Sequence, residues 1–225
     1  MPADIKTLAY VLRRTNYGEA DRILNLITPG GKVSAIARGV RKARSKLASG
    51  VEMFTLSEMM LHVGRGELAV VTGARMRRFY GGLLTDLERM EVAVMMLKRV
   101  NVAAEGSDSA EFFELVDQGL SALNRHESDV GLVTAWFLLN LARVSGEQVN
   151  LYRDTSGAKL AAGVRYEWNA AEEALEPRAE GAVDTEMIKL MRLMLAGRLE
   201  VVMRVKGVEK YVPEVLKIAR AVGKM

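Results

Sequence analysis

VLRRTNYGEADRILNLITPGGKVSAIARGVRKARSKLASGVEMF, residues 11–54, combines short alternating runs, glycine turns and a high density of cations. Arg22–Thr28 sets Leu24 and Leu26 opposite Ile23 and Ile27, because successive side chains of a strand point to opposite faces. Pro29-Gly30-Gly31 is a turn signal: proline presets φ and glycine tolerates positive φ. Lys32–Arg38 is therefore predicted to return as the hairpin partner. Upstream, Thr7–Arg14 alternates with Leu8, Tyr10 and Leu12 on one face. Downstream, Thr55–Val63 and Leu68–Arg75 read as a second hairpin around Gly64-Arg65-Gly66, although Glu58 interrupts the alternation of Leu56 and Met60. Five short strands within residues 1–80, apolar on more than one face, predict a small closed barrel. The five-stranded OB-fold, which commonly binds single strands, is the candidate of that size.

Charge is divided along the chain. Residues 1–80 carry 14 Lys and Arg against 6 Asp and Glu, whereas residues 81–225 carry 18 against 22, so the total of +4 hides a basic part and a mildly acidic part. That asymmetry is expected of a nucleic-acid-binding module joined to something else. Between the third and fourth strands, Arg41, Lys42, Arg44 and Lys46 form a run with no apolar period, predicting a solvated loop. It follows Arg38 and is accompanied by Arg13, Arg14, Arg22 and Lys32 in the strands. Gathered on one barrel face, such cations track a phosphate backbone and release counterions. An ordinary soluble surface loop is the plain alternative. Tyr17 and Phe54 offer either stacking platforms for bases or packing in the barrel or at its rim.

From Leu83 onward the period changes. Leu83, Leu87, Met90, Val94 and Leu97 make one amphipathic helical stripe, and Phe112, Val116, Leu120 and Leu123 a second. A third helix, capped by Ser128 or Asp129 and stopped near Gly146, is apolar almost all round and should be central to a bundle. Met187–Leu195 follows, with Asp184 or Thr185 as cap and Gly197 as stop. Pro213 fits the first position of a last helix closed by Gly223. Leu199–Val205 alternates enough for a strand and stays undecided. Residues 147–182 are long for a connection between helices and form an irregular insert with local packing around Tyr166, Trp168 and Leu175. The predicted organisation is β + α: a barrel over 1–80, then a helical domain over 81–225 carrying the insert.

Catalytic signals are absent. The chain has no cysteine and two histidines, His62 and His126, which excludes disulfides and a thiolate zinc site. Gly30-Gly31-Lys32-Val33-Ser34 fails as a phosphate loop, because Leu26 stands where its first glycine belongs and Ser34 comes one place late. Gly64-Arg65-Gly66 followed by Ala69 fails as a dinucleotide fingerprint, and Asp86, Glu88 and Glu91 read as solvated helix-face charges. No cofactor and no metal are expected. Neither a signal pattern nor an 18-residue apolar run occurs, so a soluble cytoplasmic protein without a membrane segment is expected.

The stretches LRRTNYGEADRILNLIT (12–28), GKVSAIARGVRKARSK (31–46) and FTLSEMML (54–61) closely resemble the N-terminal domain of the RecO recombination mediators. Tyr17–Arg22 and Gly31–Arg41 are the most specific parts, and Met76–Arg89 is similar to that family's passage from barrel to helices. The resemblance implies an OB-fold that binds single- and double-stranded DNA, followed by an α-helical domain. It also implies strand annealing, and cooperation with RecR to displace single-stranded-DNA-binding protein and so load the RecA recombinase indirectly, with the single-strand-binding protein's C-terminal tail as a contact. The phosphate-contacting cations then fall on Arg14, Arg22, Lys32, Arg38 and Arg41, with Lys42, Arg44 and Lys46 added. Many relatives hold a four-cysteine zinc module after the third helix; Arg153-Asp154-Thr155-Ser156-Gly157 stands at that place here. The alternative is a general OB module for RNA or for an acidic protein tail, and an enzyme is the remaining class. Side-by-side binding to single-stranded DNA, structured RNA and an acidic peptide separates the first two.

Overall fold

A computed structural model describes residues 3–64 and 66–222. Strands β1 (Ala3–Tyr17), β2 (Asp21–Thr28), β3 (Gly31–Ala37), β4 (Thr55–Val63) and β5 (Ala69–Phe79) close a barrel in the order β1-β2-β3-β5-β4. The length of β1 makes closure feasible: Tyr10–Tyr17 pairs antiparallel with β2, and Ala3–Tyr10 with β4. A register shift between Val11 and Arg13 lets the strand bend from one partner to the other. Parallel pairing of β3 with β5 completes the ring, giving the five-stranded, OB-like arrangement expected from the alternation.

The alternating residues fill the interior. Ala9, Val11, Leu24, Leu26, Ala35, Ala37, Met59, Leu61, Ala69 and Val71 form the buried core, with Val40 and Val51 added from the connection. Small residues in β3 leave room for the larger ones opposite. The β2–β3 turn is the tight one predicted, Thr28 pairing with Gly31 across Pro29 and Gly30. Gly31 has φ +99°, and a Cβ there would lie 2.5 Å from the Ser107 carbonyl oxygen. Only glycine fits. The second hairpin also forms, with β5 running on to Phe79; Arg65 of its turn lies outside the described residues.

Packing and charge divide the chain at different places. The compact units are Met1–Asn124 and Arg125–Met225. In the first, α1 (Leu87–Ala103) and α2 (Glu111–Leu123) pack on β1 and β2. Tyr10, facing out of the barrel, is buried there beside Tyr80 and Phe113. Its hydroxyl donates to Asp117 at 2.5 Å and lies 2.7 Å from the Tyr80 hydroxyl. Burial above all, then Asp117, pushes the Tyr10 phenol far above the usual tyrosine range. Asp86 is no free helix-face charge: it caps α1, accepting from the Arg89 backbone N–H at 3.2 Å and pairing with its side chain.

In the second unit, α3 (Val130–Val144) is buried continuously from Leu132 to Ala142 and packs against α4 (Thr185–Ala196) and α6 (Val212–Val222). The central helix anticipated from its all-round apolar surface is there. Asp129 caps α3 and Asp184 caps α4; Gly223 lies outside the described residues. The Leu199–Val205 segment holds a short helix, α5 (Leu199–Val202), because Leu199 and Val202 are buried one turn apart. The insert folds around a small hairpin, β6 (Tyr166–Asn169) with β7 (Ala174–Pro177). At Arg153–Gly157, the Asp154 carboxylate accepts from the Ser156 N–H and hydroxyl and the Ala158 N–H, at 2.7–3.0 Å. Those bonds, the Ser156 hydroxyl first, hold its carboxyl below the usual range. Among the described residues no helix is long and apolar enough to cross a membrane.

Candidate nucleic-acid interface

The connection from β3 to β4 wraps over the end of the barrel near the β1–β2 turn. Asp21, which opens β2, accepts from the Gly39 N–H at 2.7 Å, and the Arg41 N–H donates to the Ala20 carbonyl at 2.9 Å. The Arg41 side chain reaches the Gly18 carbonyl at 3.3 Å. Two turns distant in sequence are thereby stitched together, each bond pairing a main-chain group with a main-chain or side-chain partner. The motif Tyr17–Arg22 thus supplies a dock for the cationic loop. A four-residue 3-10 helix (Ala48–Val51) returns the chain to β4. Gly50 is obligatory there, since a Cβ would lie 2.6 Å from the Ala74 methyl in β5.

The cations of this region fall into two sets. Arg14, Arg22 and Arg41 form a cluster. Glu52, just past the 3-10 helix, bridges the first two, Arg14 on one carboxylate oxygen and Arg22 at 3.0 Å on the other. The Arg22 Nε also donates to Asn16 at 3.3 Å. Burial foremost, then the charges of Arg14 and Arg41, pull Arg22 below the ordinary guanidinium value. The second set is Arg38, Lys42, Arg44 and Lys46, all exposed in the loop. Among the described residues, none of these four side chains has a hydrogen-bond or ion-pair partner. Tyr17, more than half exposed, projects from the adjoining turn, so a ring is available beside the cations. Phe54 is not: it is buried, with φ +58°, and its carbonyl accepts from Tyr80.

Lys32 is the exception among the grouped cations. Its side chain is 7% exposed, and its ammonium donates to the Asn101 carbonyl at 2.5 Å and pairs with Glu105. It is spent on the end of α1, on the helix-covered side of β2 and β3. Sequence gave no sign of this, because Asn101 and Glu105 lie some 70 residues away. Glu52 and Asp21 are the residues that sequence reasoning passed over. One signal was present: Glu52 is the sole carboxylate between positions 22 and 57.

A second group of cations lies on β5, where Arg77 and Arg78 have partners and Arg75 is exposed. Glu58 holds Arg77 at 2.6 Å and Lys6 at 3.3 Å, and Arg78 donates to Tyr80 and Ser121. On α1, Met90, Val94 and Met95 line a shallow surface depression together with Glu91, Lys98 and Arg99. No group of three or more His, Asp or Glu able to hold a metal ion occurs among the described residues.

Residues 1–80 match the family described as Recombination protein O N terminal, and residues 84–222 that described as Recombination protein O C terminal. A protein named DNA repair protein RecO from Rubrobacter xylanophilus is 36% identical over 137 residues, 60% of this chain and 55% of its own length. One of the same name from Alkaliphilus metalliredigens is 33% identical over 149 residues, 65% of this chain and 60% of its own. The match to that from Desulfitobacterium hafniense is more extended, 28% identity over 224 residues, 94% of this chain and 81% of the relative. The matched stretch thus spans little more than half the length of the first of these relatives.

Proposed function

Because the chain belongs to the recombination protein O family, we propose that it is a non-catalytic, DNA-binding mediator of recombinational repair. It anneals complementary strands and assists loading of the recombinase onto single-stranded DNA covered by single-strand-binding protein. The observation that carries this reading is the exposed set Arg38, Lys42, Arg44 and Lys46 beside the Arg14–Arg22–Arg41 cluster at one end of an OB-like barrel. Basic grooves with a neighbouring ring bind single strands through phosphates, with stacking in support. The proposed contacts are therefore Arg14, Arg22, Arg38, Arg41, Lys42, Arg44 and Lys46, with Tyr17 as the stacking ring. Lys32 is left out because its ammonium is committed to α1.

Family relationship supports RecR and single-strand-binding protein as partners, the recombinase being reached through them. A tail with apolar and acidic residues would meet Met90, Val94 and Met95 in the depression on α1, where Lys98 and Arg99 outnumber the one carboxylate, Glu91. Methionine is an adaptable lining for such a guest. The test is annealing of complementary oligonucleotides precoated with the cognate single-strand-binding protein. The chain should raise the annealing rate well above that of the coated strands alone, without nucleotide or metal. No acceleration at low salt would remove the reading.

A further inference from the structure

Glu52 stands alone among cations. The chain leaves the 3-10 helix in an extended conformation at this residue, and the side chain turns back to place one carboxylate oxygen on Arg14 and the other on Arg22. Its side chain is 41% exposed, so this bridge faces solvent rather than the core. A phosphodiester offers the same pattern, one negative charge shared by two oxygens on one centre, each able to accept a charge-assisted bond from a different guanidinium group.

We propose that Glu52 is an internal stand-in for a backbone phosphate, holding the seat between Arg14 and Arg22 until a nucleic-acid strand displaces it. This rests on the DNA-binding reading above. Without an anion in that seat, the like charges of Arg14, Arg22 and Arg41 oppose one another with no neighbouring carboxylate to offset them. The tethered carboxylate neutralises the cluster in the free protein. A lone phosphate gains little by replacing it. A strand that also reaches Arg38, Lys42, Arg44 and Lys46 gains several contacts at once and wins the exchange. Glu52 thus makes the cluster selective for continuous phosphate backbones over isolated anions.

The experiment measures binding of a labelled single-stranded oligonucleotide to the full chain, wild type against Glu52→Gln, from 50 to 200 mM salt. Glu58→Gln is the control, since Glu58 also joins two cations, Lys6 and Arg77, away from the cluster. Glu52→Gln should bind about three- to tenfold tighter at 50 mM salt, as removal of one nearby anion predicts. Its salt slope should match that of wild type, because the bound strand places a phosphate in the same seat in both proteins. Glu58→Gln should change affinity less than about twofold, and inorganic phosphate should compete better against the Glu52 variant than against wild type. Melting temperatures accompany each measurement; should Glu52→Gln not fold, Glu52→Asp, too short to span both arginines, should also bind tighter than wild type. Unchanged or weaker binding by Glu52→Gln overturns the proposal, as does equal tightening by Glu58→Gln. Wild-type protein that fails to bind at 50 mM salt overturns the DNA-binding reading itself, and this proposal with it.

Discussion

The barrel presents cations on two sides and uses them in opposite ways. At the loop end, Arg38, Lys42, Arg44 and Lys46 are exposed, and the loop is held by bonds such as that from the Gly39 N–H to the Asp21 carboxylate. On the side covered by α1 and α2, Lys32 is buried and joined to Asn101 and Glu105, and Tyr10 is sealed in with Asp117 and Tyr80. The same kind of residue is a proposed phosphate contact in one place and a structural bolt in the other. What separates them is whether a helix lies over the strand, a fact set by packing and not by local charge. The two sides should therefore fail in different assays.

The largest expected effect is on the loop. Arg41→Glu with Arg44→Glu exchanges two attractive charges for two repulsive ones, and the new carboxylate at 41 falls beside Arg14 and Arg22. Annealing should be abolished while the melting temperature stays near wild type, since exposed substitutions usually cost under about 0.5 kcal/mol each. A double mutant that anneals at the wild-type rate would place the DNA elsewhere. One that unfolds would make the loop a structural element and erase the contrast.

Lys32→Met should behave the other way. It strips the Asn101 carbonyl of its donor and should cost about 1–2 kcal/mol, read as a lower denaturation midpoint. Affinity for DNA should hardly change. Weakened binding at full stability would return Lys32 to the phosphate-contacting set.

Tyr10→Phe sharpens the covered side further. Losing the bond to Asp117 should cost about 1–2 kcal/mol without affecting DNA binding. The sign of its pH dependence is fixed by the raised phenol. The folded state favours the protonated form, so this contribution is complete below the unfolded value of 10.0 and is lost as pH rises beyond it. Wild type should therefore lose stability above about pH 10 more steeply than Tyr10→Phe. Parallel alkaline denaturation curves would contradict the buried bond.

Much of this was legible from local pattern. The Leu24/Leu26 against Ile23/Ile27 alternation and the Pro29-Gly30-Gly31 turn carry β2 and β3, and the apolar stripes carry the helices, because each depends on neighbours within a few residues. Elements held by distant partners were not legible. The first residues of β1 are exposed and defined only by pairing with β4, and the end of β5 is a run of exposed cations and Met76. The insert hairpin depends on contacts such as Asp154 with Leu175 and Tyr166 with Val183. At the site, sequence showed which residues are charged. It did not show that Arg14 meets Glu52 from 38 residues away, or that Lys32 meets Glu105 from 73. Those pairings need the closed barrel and the helix that covers it.

The most direct test of an exposed phosphate-binding end is the salt dependence of single-stranded DNA affinity for the full chain. If about four phosphates are contacted, the logarithmic slope should be near −2.8, roughly a 50-fold loss of affinity from 50 to 200 mM salt. A flat dependence, with affinity unchanged over that range, would contradict it.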